Sequence, residues 1–133
     1  MKKSFLINVE SIQEALEWVE KEIEEKSPSL TQKMMLVAEE AIVNSLTHGY
    51  QEEKGAIEIS IEIQDNCLIM TIRDFAKACN PLEVAPSVDP LAPIENRKEG
   101  GLGIYLMTKL VDQVLYQRDA ESNLLTFIKK LAS

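Results

Sequence analysis

Glu40, Asn44 and His48 set a carboxylate, an amide and an imidazole at four-residue intervals in the stretch Glu40-Ala-Ile-Val-Asn44-Ser-Leu-Thr-His48. A helix turns about 100° per residue, so each four-residue step drifts by only about 40° and the three side chains form one polar stripe. An amide oxygen is a hard ligand suited to Mg²⁺ that bridges phosphates. A carboxylate one turn earlier could orient or deprotonate an attacking hydroxyl or water. His48, two turns from Glu40, reads better as a helix C-cap or a contact to the following loop than as a ligand, and a metal site of Glu40 and His48 would lack a third donor. The same spacing also fits an ordinary solvated helix edge. Leu36, Val37, Ala41, Ile42 and Leu46 surround the stripe, however, and an amide left unpaired at the border of an apolar face costs roughly 1–3 kcal/mol.

Two other segments carry groups that could join it. Gly100-Gly101-Leu102-Gly103 removes side chains where a helix begins, which lets backbone N–H groups and the positive end of the helix dipole approach an anion such as phosphate. A hinge or tight turn would explain the same glycines. Asp74 ends an apolar run and sets a charge at the edge of a long aperiodic segment.

The elements that must position these groups follow from periodicity. Residues 4–9 read as an edge strand. A helix follows from about Ser11 to Lys26, with Ser11 and Glu14 spaced as a capping box, and Ser27-Pro28-Ser29 stops it. A second helix runs from about Leu30 or Thr31 to Thr47 and carries the polar stripe. Residues 56–63 alternate apolar and polar with period two, Asp65-Asn66 turns the chain, and residues 67–73 complete a hairpin. From Phe75 to Glu99 the periodicity is lost and Pro81, Pro86, Pro90 and Pro93 interrupt the backbone, as in a functional lid. A helix from the glycines to about Val111 and strands near 113–118 and 124–130, joined by a turn at 119–123, close the chain. This order predicts one α+β domain over residues 1–133, a two-layer sandwich with helices on one face of a mixed, mainly antiparallel sheet.

Composition narrows the partners. Fourteen basic and twenty-two acidic residues give a net charge of −8, which repels nucleic-acid phosphates and anionic membranes. Much of the acid lies in Glu14, Glu17, Glu20, Glu22, Glu24 and Glu25, the solvated face of the first helix. Cys67 and Cys79 lack metal or redox spacing and read as packing residues. The start has too short an apolar run for a signal peptide and no later run would span a membrane, so the expected setting is the cytoplasm.

Read together, Glu40-x-x-x-Asn44-x-x-x-His48, Ile72-Arg73-Asp74, Gly100-Gly101-Leu102-Gly103-Ile104 with Leu106 and Leu110-Val111-Asp112, and Asn123-Leu-Leu-Thr126-Phe-Ile resemble the GHKL superfamily of ATP-binding domains. Within it they are most similar to the stand-alone anti-sigma-factor serine kinases. That resemblance implies a Bergerat-type fold, ATP and Mg²⁺ as cofactors, and an anti-sigma-antagonist protein, with a sigma factor, as partners; homodimerisation stays open. It implies Glu40 as general base and Asn44 as the Mg²⁺ ligand. Asp74 would accept the adenine amino group with Thr126 assisting, and residues 82–99 would form the lid. Arg97 or Lys98 would neutralise the terminal phosphate, and Gly100, Gly101, Leu102 and Gly103 would meet the phosphates.

One departure bears on activity. Where the family carries a box of the form D-x-G-x-x-F-D-P, this chain has Asp74-Phe-Ala76-Lys-Ala-Cys79-Asn80-Pro81. Ala76 in place of glycine would strain the backbone if φ there were positive, or crowd the base. Asn80 removes a charge. The alternative function is therefore a nucleotide-binding or degenerate non-catalytic module that sequesters a sigma factor or antagonist.

Overall fold

The alternation Ala56-Ile-Glu-Ile-Ser-Ile-Glu-Ile63 sends isoleucines to one face and polar residues to the other, and in the computed structural model it forms the strand β2, Gly55–Gln64. Ile57, Ile59 and Ile61 are fully buried while Ala56 and Glu62 are exposed. The structure describes residues 1–8, 11–46, 55–76 and 101–131. Its other strands are β1 (Lys2–Ile7), β3 (Cys67–Asp74), β4 (Gln113–Asp119) and β5 (Ser122–Lys130), and its helices are α1 (Ile12–Lys26), α2 (Thr31–Asn44) and α3 (Gly101–Leu110), with a 3₁₀ turn at Pro28–Leu30.

The strands make one sheet in the order β1-β2-β3-β5-β4. The expected α+β sandwich is what the chain forms, with a difference in detail: each pairing among the described strands is antiparallel. Among the described strands the sheet is wholly antiparallel rather than mixed, and the chain returns from β1 to β2 through two helices, which lets β2 enter reversed. Asp65 and Asn66, at φ 53° and 61°, make the two-residue β2–β3 turn that the right-handed strand twist favours.

All three helices lie on the face that carries Ile57, Ile59, Met70, Ile72 and Phe127, and they close the core with Val19, Ile23, Met34, Val37 and Ile42. The α1 entry departs from the sequence reading. Ser11 makes no side-chain cap bond to its own helix. Instead Asn8 N–H donates to Ser11 Oγ and Ser11 N–H donates to Asn8 Oδ1, each at 2.9 Å, which is the reciprocal capping box moved one turn earlier. Phe5 of β1 packs edge-on against Trp18 of α1 with ring centroids 5.8 Å apart, fixing that helix over the sheet.

Among the described residues no helix is long and apolar enough to cross a membrane. Cys67 is half-buried at the start of β3; Cys79 lies outside the described residues.

Candidate functional site

Period-two alternation decides which end groups can meet. On β3, Leu68, Met70, Ile72 and Asp74 face the helices, and Ile69, Thr71 and Arg73 face the open side. Asp74 thus enters the helix-covered layer at the end of its strand, 8 % exposed. On α2 the regular helix ends at Asn44. Ser45 N–H is shared between the Ala41 and Ile42 carbonyls, and Ser45–Leu46 widen into a π-helical turn, a distortion frequent at functional sites. Ser45 Oγ donates to Asp74 Oδ2 at 2.7 Å, so the helix carrying Glu40 and Asn44 is bonded directly to the strand end carrying Asp74.

The second oxygen of Asp74 is held from β5. Asn123, 4 % exposed and directly opposite Asp74 in the β3–β5 register, donates from Nδ2 to Asp74 Oδ1 at 2.7 Å. Ala76 N–H donates to the same Oδ1 at 3.2 Å, closing an Asx turn over Phe75. The Ala76 carbonyl accepts from Arg118 Nη1 at 2.8 Å and from Asn123 Nδ2 at 3.4 Å. Tyr116 OH donates to Asn123 Oδ1 at 2.5 Å. The helix-side corner is therefore a network joining α2, the end of β3, β4 and β5.

Among the described non-glycine residues only Asp65, Asn66 and Ala120 have positive φ. Ala76 is not one of them. The left-handed strain anticipated for an alanine in place of glycine is absent, and the residue is buried at 7 % exposure.

Glu40 and Asn44 lie one turn apart on α2, both half-buried. Burial, and then the adjacent Glu39 carboxylate, raises the Glu40 carboxyl above its ordinary value. A carboxylate with raised proton affinity is a stronger base near neutral pH. Gly101, Leu102 and Gly103 occupy the first turn of α3, and α3 packs on α2. Arg97, Lys98, Gly100, His48 and Asn80 lie outside the described residues.

The structure does not bring Thr126 to Asp74. Thr126 pairs with Thr71 of β3, and both project from the open face of the sheet, opposite the helices. A shift of one residue along a strand exchanges its faces. It is Asn123 and Leu125 that share the face of Asp74. Ser45 and Asn123 were missed as partners of Asp74, and Tyr116 and Arg118 as the residues that hold Asn123 and the Ala76 carbonyl. Ser45 could have been found from its place one residue after Asn44. Asn123 could not, since Leu124-Leu125 and Phe127-Ile128 are apolar on both faces and hide the period.

Residues 5–129 match the sequence profile of the histidine kinase-like ATPase domain. The chain belongs to this family. The anti-sigma F factor of Geobacillus stearothermophilus is 28 % identical over 96 residues, covering 71 % of this chain and 64 % of that protein. The anti-sigma F factor of Bacillus subtilis (strain 168) is 35 % identical over 80 residues, 59 % of this chain and 53 % of that protein. The serine-protein kinase RsbW of Bacillus anthracis (strain CDC 684 / NRRL 3495) is 29 % identical over 89 residues, 65 % and 56 % respectively. The chain thus spans under two thirds of the length of these relatives. Among solved structures, the catalytic domain of histidine kinase ThkA superposes with a TM-score of 0.57 at 13 % identity, covering 98 % of this chain and 95 % of that one. Acinetobacter baumannii histidine kinase AdeS gives 0.55 at 14 % identity, covering 98 % of this chain and 68 % of that one. At such identity these neighbours establish the fold alone: the five-stranded sheet with helices on one face is that of histidine-kinase catalytic domains.

Proposed function

We propose that this histidine kinase-like ATPase domain is an ATP- and Mg²⁺-dependent serine/threonine protein kinase of the anti-sigma type, acting on an anti-sigma-antagonist protein in the cytoplasm to regulate transcription. The observation that carries the reading is the Ser45–Asp74 bond, which fixes the Glu40/Asn44 helix against a buried carboxylate at the strand end. The names of the relatives, anti-sigma F factor and serine-protein kinase, point to the same activity.

The donor set fits the cofactors. Mg²⁺ bound with nucleotide takes one or two protein ligands and completes its shell with water and phosphate. The Asn44 amide oxygen is such a ligand, one turn from the Glu40 carboxylate. Bound Mg²⁺ supplies charge neutralisation of the phosphates. Asp74 offers an acceptor to the amino group of adenine, and Glu40 takes the proton of an incoming serine hydroxyl. Phosphoryl transfer asks for positioning and electrostatics rather than covalent participation, so this short inventory suffices. Arg97, Lys98 and Gly100 remain assigned to the phosphates on the resemblance alone. The non-catalytic alternative drew support from Ala76 and Asn80; Ala76 is free of left-handed strain, and Asn80 lies outside the described residues.

Calorimetric titration of ATP with and without Mg²⁺, on the wild type and Asn44→Ala, tests the reading. The wild type should bind at sub-millimolar nucleotide, and Asn44→Ala should lose the Mg²⁺-dependent part of the affinity. Absence of binding by the wild type would sink the kinase assignment.

A further inference from the structure

We infer that Asn123, held by Tyr116, is a positioning residue that commits one oxygen of Asp74 to the protein and leaves the other as the acceptor for a nucleobase amino group. The inference rests on the nucleotide reading above and adds the element that sets base selectivity in this chain.

A carboxylate offers about four lone-pair sites, two on each oxygen. Oδ1 of Asp74 accepts from Asn123 Nδ2 at 2.7 Å and from Ala76 N–H at 3.2 Å, so its capacity is filled. Oδ2 accepts from Ser45 Oγ at 2.7 Å, and among the described residues this leaves it one site. An incoming donor is directed to Oδ2. A carbonyl brought to the same place meets a carboxylate oxygen with no proton between them, and is rejected. The corner therefore selects a base with an amino group at this edge against one with a carbonyl there.

The orientation of the Asn123 amide is fixed by its neighbours rather than by its own shape. Its Nδ2 faces two acceptors, Asp74 Oδ1 and the Ala76 carbonyl. A flipped amide would turn its own oxygen toward the carboxylate. Its Oδ1 lies 2.5 Å from the Tyr116 hydroxyl, which must then act as donor. Arg118, opposite Asn123 on β4, donates to the same Ala76 carbonyl at 2.8 Å and holds the Asx turn in place. Tyr116 bonds Asn123, and Asn123 in turn bonds Asp74, so Tyr116 is linked to the carboxylate through the amide.

The test compares ATP with inosine triphosphate, which carries a carbonyl in place of the adenine amino group, by calorimetry on the full chain with Mg²⁺. The wild type should favour ATP. Asn123→Ala should lower ATP affinity by about tenfold, the factor carried by one hydrogen bond of ordinary strength, and leave inosine triphosphate within about twofold. Tyr116→Phe should move the ATP-to-inosine-triphosphate ratio in the same direction by less. The double variant should match Asn123→Ala, because Tyr116 works through Asn123. A merely structural role would lower both affinities together, and that result, or an unchanged ratio, overturns the proposal. Tyr116→Phe alone decides the matter if Asn123→Ala melts below the assay temperature. A wild type that binds both nucleotides equally overturns the positioning role alone. A wild type that binds neither overturns the nucleotide reading, and the proposal with it.

Discussion

Arg73 and Asp74 are sequence neighbours at the end of β3 that project to opposite faces of the sheet, and each heads a polar cluster. On the open face, Arg73 Nη1 lies 3.0 Å from Asp119 Oδ2 and 2.6 Å from Ser122 Oγ, and its Nε lies 3.6 Å from Glu58 Oε1. Ser122 Oγ in turn donates to Asp119 Oδ1 at 2.5 Å. Charge there is cancelled by opposite charge, and the effect is to tie the β4–β5 turn, with Ala120 at φ 31°, to β3. On the helix side Asp74 is more deeply buried, yet among the described residues no cation pairs with it; a hydroxyl, an amide and a backbone N–H hold it instead. Burying a carboxylate without a counter-charge is costly, and here hydrogen bonds alone offset that cost. The open-face cluster is built as a brace. The helix-side cluster holds its carboxylate by hydrogen bonds alone, which suits the ligand role proposed for it above.

The sharpest way to break this contrast is to alter each headgroup in turn. Asp74→Asn keeps the shape and one acceptor for Asn123 but presents an amide donor where the base amino group would dock. It should lower ATP affinity roughly hundredfold. Arg73→Ala should leave ATP affinity within about twofold while lowering the melting temperature, since it removes only the brace. Calorimetry and thermal melts on both variants separate the two roles. Equal losses of affinity would mean that the two clusters are one structural unit.

Glu40 belongs to the reserved side, and its raised carboxyl lets stability report the same thing. A group whose folded value lies above its unfolded one contributes stability below the unfolded value and loses it as pH rises through the folded value. Near neutral pH the ionised Glu40 therefore weakens the fold relative to an uncharged amide. Glu40→Gln should melt higher than wild type at pH 7, with the gain fading below the ordinary glutamate value of 4.5. It should bind ATP within about twofold of wild type and slow transfer to a partner serine by about 10²–10⁴-fold. A melting difference constant from pH 4 to pH 8 would remove the burial argument, and retained transfer would remove Glu40 as base.

The brace makes the opposite prediction. Hydrogen bonds from Ser122 and then Arg73 lower the Asp119 carboxyl below its ordinary value of 3.8. Its contribution is present above that value and fades as pH falls through the folded one. Asp119→Asn should reduce the melting temperature slightly at pH 7, least at high salt, and the difference should close in strong acid. An acid-independent difference would show that packing of the turn, not its charges, holds the hairpin.

Sequence reasoning reached the layers of the fold and the helix on which Glu40 and Asn44 stand one turn apart, because both follow local periods. The isoleucines of β2 repeat every second residue, and Glu40 and Asn44 repeat every fourth. What it missed depends on pairing between distant strands. Nothing local places Asn123 opposite Asp74, since their meeting is set by the register of β3 on β5, forty-nine positions apart. The capping box failed for a smaller reason of the same kind. Ser11 can pair with either Glu14 or Asn8 by spacing alone, and in the structure it pairs with Asn8.

Thr126 gives the smallest expected effect and the strictest check on that register. Family resemblance would set it beside the base, whereas its pairing with Thr71 sets it on the open face with Arg73. Valine nearly matches threonine in shape, so Thr126→Val removes the hydroxyl with little change in packing. ATP affinity should stay within about twofold by calorimetry, because the hydroxyl is separated from Asp74 by the sheet itself. A loss of tenfold or more would require β5 to sit one residue away from its present register. That slip would carry Asn123 to the open face and detach it from Asp74 and Tyr116, so a single methyl-for-hydroxyl exchange tests the whole helix-side corner.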